Sequence, residues 1–210
     1  MRGLFISMEG GDGSGKSTQL DNIKKYFAEK GMESVFTREP GGTEISEKIR
    51  DIILDPENSE MNDMTEALLY AASRAQHVAE KIKPALESVK NVICDRFVDS
   101  SIVYQGIGRN IGDAVRVING YAISGCLPDI TIFLDISPEN AMARISNRGH
   151  DRLEREDLSF HQRIYEGYKK LVANDETGRL FAVDANRSPE EVWVDIKLLL
   201  DERISNIIDF

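Results

Sequence analysis

Five short apolar-rich runs recur along the chain, at residues 4–8, 34–37, 92–95, 130–135 and 180–184. Each has the length and the near-continuous apolar character of a strand buried on both faces. Between them the apolar positions change period. Leu20, Ile23 and Phe27 recur at helical spacing and end at Gly31, where a helix C-cap belongs. Ile45, Ile49, Ile52 and Ile53 mark a second helix. Met64, Ala67, Leu68, Ala71, Ala75, Val78 and Ile82 mark a long third one, with an interruption or kink expected near Pro84. Val115, Ile118 and Ala122 mark another. Ser137-Pro138-Glu139 opens the next, with serine as N-cap and proline at the first helical position. Phe160, Ile164, Gly167, Tyr168 and Leu171 mark a further helix. The last opens on Ser188-Pro189-Glu190-Glu191, a candidate capping box, and runs through Val192, Ile196, Leu199 and Leu200. Alternating strands and helices predict an α/β fold whose parallel sheet is covered by helices on both faces. No repeat, low-complexity tract or linker interrupts the pattern, so residues 1–210 are expected to form one domain. The polar stretch 147–159 is expected to be a lid.

Composition narrows the function. The chain has 210 residues, 41% of them hydrophobic, enough for one sizeable core. With 26 basic and 36 acidic residues its formal charge is −10, which argues against a broad nucleic-acid surface. Its two cysteines, Cys94 and Cys126, make no disulfide framework. No apolar run approaches a membrane span, and because the first motif begins by residue 10 no signal peptide is expected. A cytoplasmic location without membrane partners is the expectation.

That first motif is Gly10-Gly11-Asp12-Gly13-Ser14-Gly15-Lys16-Ser17, which fits the phosphate-binding loop G-x-x-x-x-G-K-[ST]. It stands between a predicted strand and a predicted helix, as the motif requires. Glycines let backbone N–H groups turn toward an oxyanion, and the helix that follows adds its positive end. Lys16 would reach the β- and γ-phosphates and the Ser17 hydroxyl would ligate magnesium. A glycine-rich turn that binds nothing is the plain alternative.

Three further groups carry candidate chemistry. Asp95 ends an apolar strand, where such enzymes place the acid that holds Mg²⁺, although it could equally cap the next segment. Arg96 follows it, and Arg38 follows the second strand in Thr37-Arg38-Glu39-Pro40-Gly41-Gly42, where Pro40 is a candidate cis residue. One strand-end arginine is a solvated loop charge as readily as a ligand; two beside one phosphate loop suggest a second phosphate site. Arg144, Arg148, Arg152 and Arg155 fall at spacings of four, four and three. They read either as a salt-bridged helix, with Asp151 to Arg155 and Arg152 to Glu156 as pairs, or as a lid delivering arginine to a transferring phosphoryl group. His77 and His161 read as structural, and His150 receives no role.

Together these segments resemble the thymidylate kinase family. The resemblance rests on Met8 to Thr18, on Thr37 to Gly42, on Glu66-Ala67-Leu68-Leu69-Tyr70-Ala71-Ala72-Ser73-Arg74 and on Asp95-Arg96-Phe97-Val98-Asp99-Ser100-Ser101 with Tyr104-Gln105-Gly106. Pro128-Asp129-Ile130-Thr131 and Asp151-Arg152-Leu153-Glu154 complete it, in order, from about residue 3 to residue 184. The resemblance implies a P-loop NTPase-type three-layer α/β/α fold with a five-stranded parallel sheet. It implies transfer of the γ-phosphoryl group of MgATP to thymidine 5′-monophosphate (dTMP) by a homodimer. Residues 10–18, with Thr18 the last, and Arg144 would then hold ATP, and the loop at Ala185-Asn186 would line the adenine pocket. Arg38 and Arg96, with Arg50 as helper, would grip the acceptor phosphate. Tyr70 would stack on thymine, though its apolar neighbours also suit a core aromatic. Arg74, Gln105 and Ser101, next to Ser100, would read the base edge. Tyr104 would crowd the sugar C2′, and Asp12 would meet the 3′-hydroxyl or the metal region. Eukaryotic-type members carry an arginine where this chain has Gly13, so the chain resembles the bacterial type, whose catalytic arginine lies in the lid. Arg148 is the expected one and Arg152 the alternative. A deoxynucleoside kinase, a kinase of another monophosphate and a P-loop switch are the competing functions. The arginine pair weighs against the first, and the absence of an N-K-x-D base-reading motif weighs against the last.

Overall fold

The computed structural model describes residues 2–144 and 152–208, with the side chains of 206–208 excepted. Five parallel strands, β1 (Phe5–Glu9), β2 (Ser34–Arg38), β3 (Asn91–Asp95), β4 (Ile130–Asp135) and β5 (Leu180–Asp184), lie in the order β2-β3-β1-β4-β5. Ile6 pairs with Ile93 on one side and Ile130 on the other. All five residues of β1 are buried, as a central strand covered on both faces must be. Because β1 lies between β3 and β4, the chain reverses direction across the sheet there. A crevice therefore opens beyond the strand C-termini, where α/β folds bind ligands. Glu9, Arg38, Asp95, Asp135 and Asp184 end the strands on that edge.

Nine α-helices are described: α1 (Lys16–Glu29), α2 (Glu44–Leu54), α3 (Asp63–His77), α4 (Lys83–Glu87), α5 (Val98–Ser101), α6 (Ala114–Ile123), α7 (Pro138–Ala143), α8 (Leu158–Ala173) and α9 (Pro189–Ile208). One face of the sheet presents Ile6, Met8 and Ile132 to Ile23 and Phe27 of α1 and Ile196 and Leu200 of α9. The other presents Phe5, Val92 and Cys94 to Val78, Ile82 and Leu86, while Phe133 stacks on Tyr168 of α8 at 4.8 Å. This is the three-layer α/β/α arrangement that the alternation predicts.

Local signals placed most helix ends. The Ser137 hydroxyl accepts from Asn140 N, and Ser188 and Glu191 exchange the two bonds of a capping box. Two segments differ from expectation. The interruption of the long helix falls before Pro84: α3 ends at His77 and widens into a π-helical stretch, Val78–Ile82, so that Pro84 enters at the start of α4, where it has no N–H to satisfy. A second π-helical stretch, Ile102–Gly108, continues α5, and the apolar periodicity had marked no helix there. The Glu39–Pro40 peptide bond is cis, as anticipated.

Candidate active site

The loop from Gly10 to Gly15 joins β1 to α1. Gly10 has φ +143°, and a Cβ there would stand 2.9 Å from Ser14 Oγ and 3.2 Å from Leu134 O. Gly15 caps α1 at φ +97°, a conformation that L side chains rarely adopt. Lys16 then opens the helix with its ammonium turned back on the loop, donating to Gly10 O and Gly11 O at 3.0 Å each. Asp12 Oδ1 lies 3.9 Å from Lys16 Nζ. Burial, and then the charge of Arg96, lower the Lys16 pKa to about 8; Asp12, Asp95 and Glu9 oppose the shift.

Beyond the loop opens a cavity of about 640 Å³. Residues 12–18 of the loop and α1 form one wall, and Arg144 and Ala185 border the same side. Arg144 Nη2 donates to Ala185 O at 3.0 Å, so the two segments expected to flank a base are tied together. Arg38, Arg50, Asp95 and Arg96 line the same cavity, together with Tyr70, Ser100, Tyr104 and Gln105. Arg38 is exposed and pairs with Glu47 at 2.9 Å; Arg50 Nη1 donates to Pro40 O at 2.7 Å.

Arg96 is held most firmly. Its N–H donates to Met8 O, its backbone has φ +65°, and Nη2 donates to Asp12 Oδ1 at 2.9 Å. Its guanidinium lies 5.2 Å from the Tyr104 ring. A non-glycine residue in this left-handed region costs about 1 kcal/mol or more. Such strain concentrates at functional sites, where the surrounding structure over-determines it. Burial raises the Tyr104 pKa, so the phenol stays neutral across physiological pH.

Two atoms bear on a metal. Asp95 Oδ1 and Ser14 Oγ are both buried with no hydrogen-bond partner. A buried carboxylate oxygen without a donor is unusual and suits a cation or its water shell. Ser17 borders the same cavity. Among the described residues no group of three or more His, Cys, Asp or Glu side chains is arranged to hold an ion.

Three expected site residues among those described lie off the cavity. Arg74 is 1% exposed and does not border the cavity. Its guanidinium donates to Glu39 Oε2 (2.7 Å), Ser101 Oγ (3.0 Å), Phe97 O (3.1 Å) and Asn119 Oδ1. Ser101 is buried with it. Arg152 is also buried: Nε donates to Ile53 O at 2.9 Å and Nη2 to Glu66 Oε2 at 2.6 Å. The Arg152–Glu156 helix pair, one of the two readings that spacing allowed, does not form: Arg152 turns to Glu66 and Glu156 to Arg109 at 2.6 Å. Arg148 lies outside the described residues.

Two buried acids escaped the motif reading. Glu9 ends β1 as Asp95 ends β3, and that shared place was the available signal. Its carboxylate accepts from Phe97 N (2.8 Å), Ser7 Oγ (2.9 Å), Ser100 Oγ (2.6 Å) and the Tyr168 hydroxyl (2.8 Å). Burial, followed by the charge of Asp99, pushes its pKa up despite these bonds. Glu39 joins Arg74 to His77, whose Nε2 meets Thr37 Oγ1 at 2.7 Å; His77 is structural, as expected.

Comparison with known proteins gives one family. A family model described as thymidylate kinase matches residues 8–196. The thymidylate kinase of Symbiobacterium thermophilum is 51% identical over 200 residues, covering 95% of this chain and 93% of its own. That of Oceanobacillus iheyensis is 49% identical over 199 residues, 93% of this chain and 88% of its own. That of Shouchella clausii is 48% identical over 198 residues, 92% of each.

Proposed function

The chain belongs to the thymidylate kinase family, bacterial type, and from that premise we propose how its residues carry the reaction: the γ-phosphoryl group of ATP passes to dTMP, giving dTDP and ADP. The observation that best supports the assignment is the single cavity bordered at once by Lys16 and Ser17 and by Arg38 and Arg96. An uncharged acceptor needs no second cationic clamp; a monophosphate does. An ATP-coupled assay over nucleosides and monophosphates tests it. Turnover is expected to be highest with dTMP, and faster turnover of any other acceptor would overturn the assignment.

The acceptor phosphate is already ionised near neutral pH, so no strong base is needed. The difficulty is bringing two anionic phosphates together in line. Lys16 and the loop N–H groups hold the donor phosphates, and Arg144 with the 185–186 loop flanks the adenine. Arg38 and Arg96, assisted by Arg50, hold the acceptor phosphate. Tyr70 stacks on the thymine, Gln105 meets its edge, Tyr104 packs at the sugar and Asp12 releases Arg96 as the phosphate arrives. Arg148 brings charge to the transferring group. Arg74, Ser101 and Arg152 act from behind, as supports for the wall that carries Gln105 and for the root of the lid.

Asp95 and the Ser17 hydroxyl would hold magnesium, which supplies charge neutralisation at the donor phosphates when bound. The unpartnered Asp95 oxygen supports this site. Asp95→Asn would then need more Mg²⁺ for half-maximal rate, and an unchanged requirement would remove Asp95 from the site.

Lys16 makes ATP binding depend on pH. Phosphate binds the protonated amine, and the ligand-free amine titrates near pH 8. Below that pH the proton is already present. Above it, binding must take a proton up, so affinity weakens as pH rises through about 8. Calorimetry at about pH 9 in buffers of different ionisation enthalpy is expected to show uptake approaching one proton. Binding heats independent of buffer would contradict the role.

The same reading makes residues 1–210 one nucleoside-monophosphate-kinase-like domain, acting as a cytoplasmic homodimer. Among the described residues no helix is long and apolar enough to cross a membrane. The exposed apolar side chains Leu68 on α3 and Val117 and Tyr121 on α6, two helices that pack together, support pairing there. A monomer mass by light scattering would refute the dimer.

A further inference from the structure

Glu66 lies in the first turns of α3, fully buried and off the cavity. Three side chains from two segments, Gln105 and Arg109 on one and Arg152 on the other, donate to it. Oε1 accepts from Gln105 Nε2 at 2.8 Å and Arg109 Nε at 3.4 Å. Oε2 accepts from Arg152 Nη2 at 2.6 Å and Arg109 Nη2 at 3.1 Å. A carboxylate survives such burial only when paired and hydrogen-bonded. Burial raises its pKa, but the Gln105 bond, the Arg109 charge and the Arg152 bond together outweigh that and hold it below the usual carboxylate range. Glu66 is therefore ionised and accepts hydrogen bonds only.

An amide has two unlike ends, an NH₂ that donates and a carbonyl that accepts. A glutamine free to rotate about its last bond could offer either end to a bound ring. Gln105 is not free. It borders the cavity, and the neighbour behind it is a carboxylate that takes the NH₂ end. Turning the amide over would set its carbonyl against Glu66 Oε1 and strand that oxygen's best donor. The end left for the cavity is the carbonyl.

We propose that Glu66 is a specificity-determining positioning residue: it fixes the Gln105 amide so that the acceptor pocket offers a carbonyl to a pyrimidine ring N–H and turns away rings that carry a lone pair at that position. Thymine and uracil have that N–H at N3; cytosine has the lone pair. Arg109 and Arg152 keep Glu66 charged, so the lid root and the base-reading wall share one anchor. The proposal rests on reading Gln105 as the residue that meets the base edge.

The test is the ratio of kcat/KM for dTMP over dCMP in Glu66→Gln. A glutamine at 66 can give or take a hydrogen bond, so Gln105 regains both orientations. The ratio is expected to fall about 10-fold or more, because a site that mispairs buried polar groups loses discrimination. The KM for ATP is expected to change less than about 2-fold, since Glu66 touches no donor-side group. Loss of packing alone would slow both acceptors together, so an unchanged ratio overturns the proposal. Gln105→Ala tests the premise by itself. A normal dTMP KM and ratio in that variant would remove Gln105 from base reading, whatever Glu66 does. Should Glu66→Gln fail to fold, NMR of the intact protein decides. One Gln105 side-chain amide proton, assigned by its loss in Gln105→Ala, is expected to resist exchange with and without dTMP. Free exchange of both protons would overturn the proposal.

Discussion

Arg96→Ala is expected to lower kcat/KM for dTMP about 10³-fold while the protein stays folded. The loss follows from what the guanidinium touches. It lies between the donor loop and the acceptor wall, bonded to Asp12 on one side and reaching Ser100 Oγ at 3.4 Å on the other. Without it Asp12 loses its 2.9 Å arginine partner and adds its negative charge, shared then with Lys16 at 3.9 Å, where two phosphates would already repel, so the variant both removes attraction and adds repulsion. Stability responds differently. Alanine also dislikes φ +65°, so the backbone strain remains. The lost Arg96–Asp12 pair is part-buried beside the cavity and contributes about 1–2 kcal/mol. A melting temperature within a few degrees of the parent, together with near-complete loss of turnover, is the expected pattern. Arg96→Lys keeps the charge but loses the fork and should recover only part of the rate. Turnover of Arg96→Ala within about 10-fold of the parent would remove Arg96 from the phosphate clamp.

The second large effect separates the lid arginines. Arg148→Ala is expected to lower kcat about 10³-fold with little change in the KM for dTMP, since a charge supplied at the transition state acts on kcat. Arg152→Ala is expected to act mainly on stability. Arg152 is already committed to Ile53 O and Glu66, and its own N–H reaches Leu54 O at 3.4 Å. To reach a transferring phosphoryl group Arg152 would have to give up a buried ion pair and a backbone bond, a cost that makes a supporting role the expected one. Its removal leaves Glu66 with Arg109 and strands the Ile53 carbonyl, a cost on the order of 1–3 kcal/mol that thermal melting would detect. Gly13 supplies no cation from the loop, and on the proposed reading that role falls to Arg148. Near-normal turnover in Arg148→Ala, paired with a collapse of kcat in Arg152→Ala, would reverse the assignment.

Much of the fold was legible in the sequence because its signals are local. A strand buried on both faces is apolar throughout, so 130–135 and 180–184 were found with their bounds intact and the other three within a residue or two. Caps and glycines act within one turn, so Ser137, Ser188 and Gly31 could be placed from neighbours alone. The phosphate loop was legible for the same reason: eight consecutive residues contain the turn, the amide donors and the lysine.

Long-range partners were not legible. Spacing offered Arg152 a partner in Glu156 four residues away as one of two readings, whereas its packing against α2 and α3 pairs it with Glu66, 86 residues away. The motif placed Arg74 on the base edge, but α3 turns it inward to Glu39, Ser101 and Asn119. No periodicity announced the wide turn 102–108 that carries Tyr104 and Gln105 to the same wall. Side-chain period reveals which face of an element is buried; it holds no information on which element covers that face. The sequence by itself determined the strands, the helices, the phosphate loop and the arginines available to it. Only the tertiary structure decided which of those charges face the cavity and which neutralise one another behind it. The reason is physical: a buried charge requires a partner, and the partner is set by the order of strands in the sheet and the packing of helices over it.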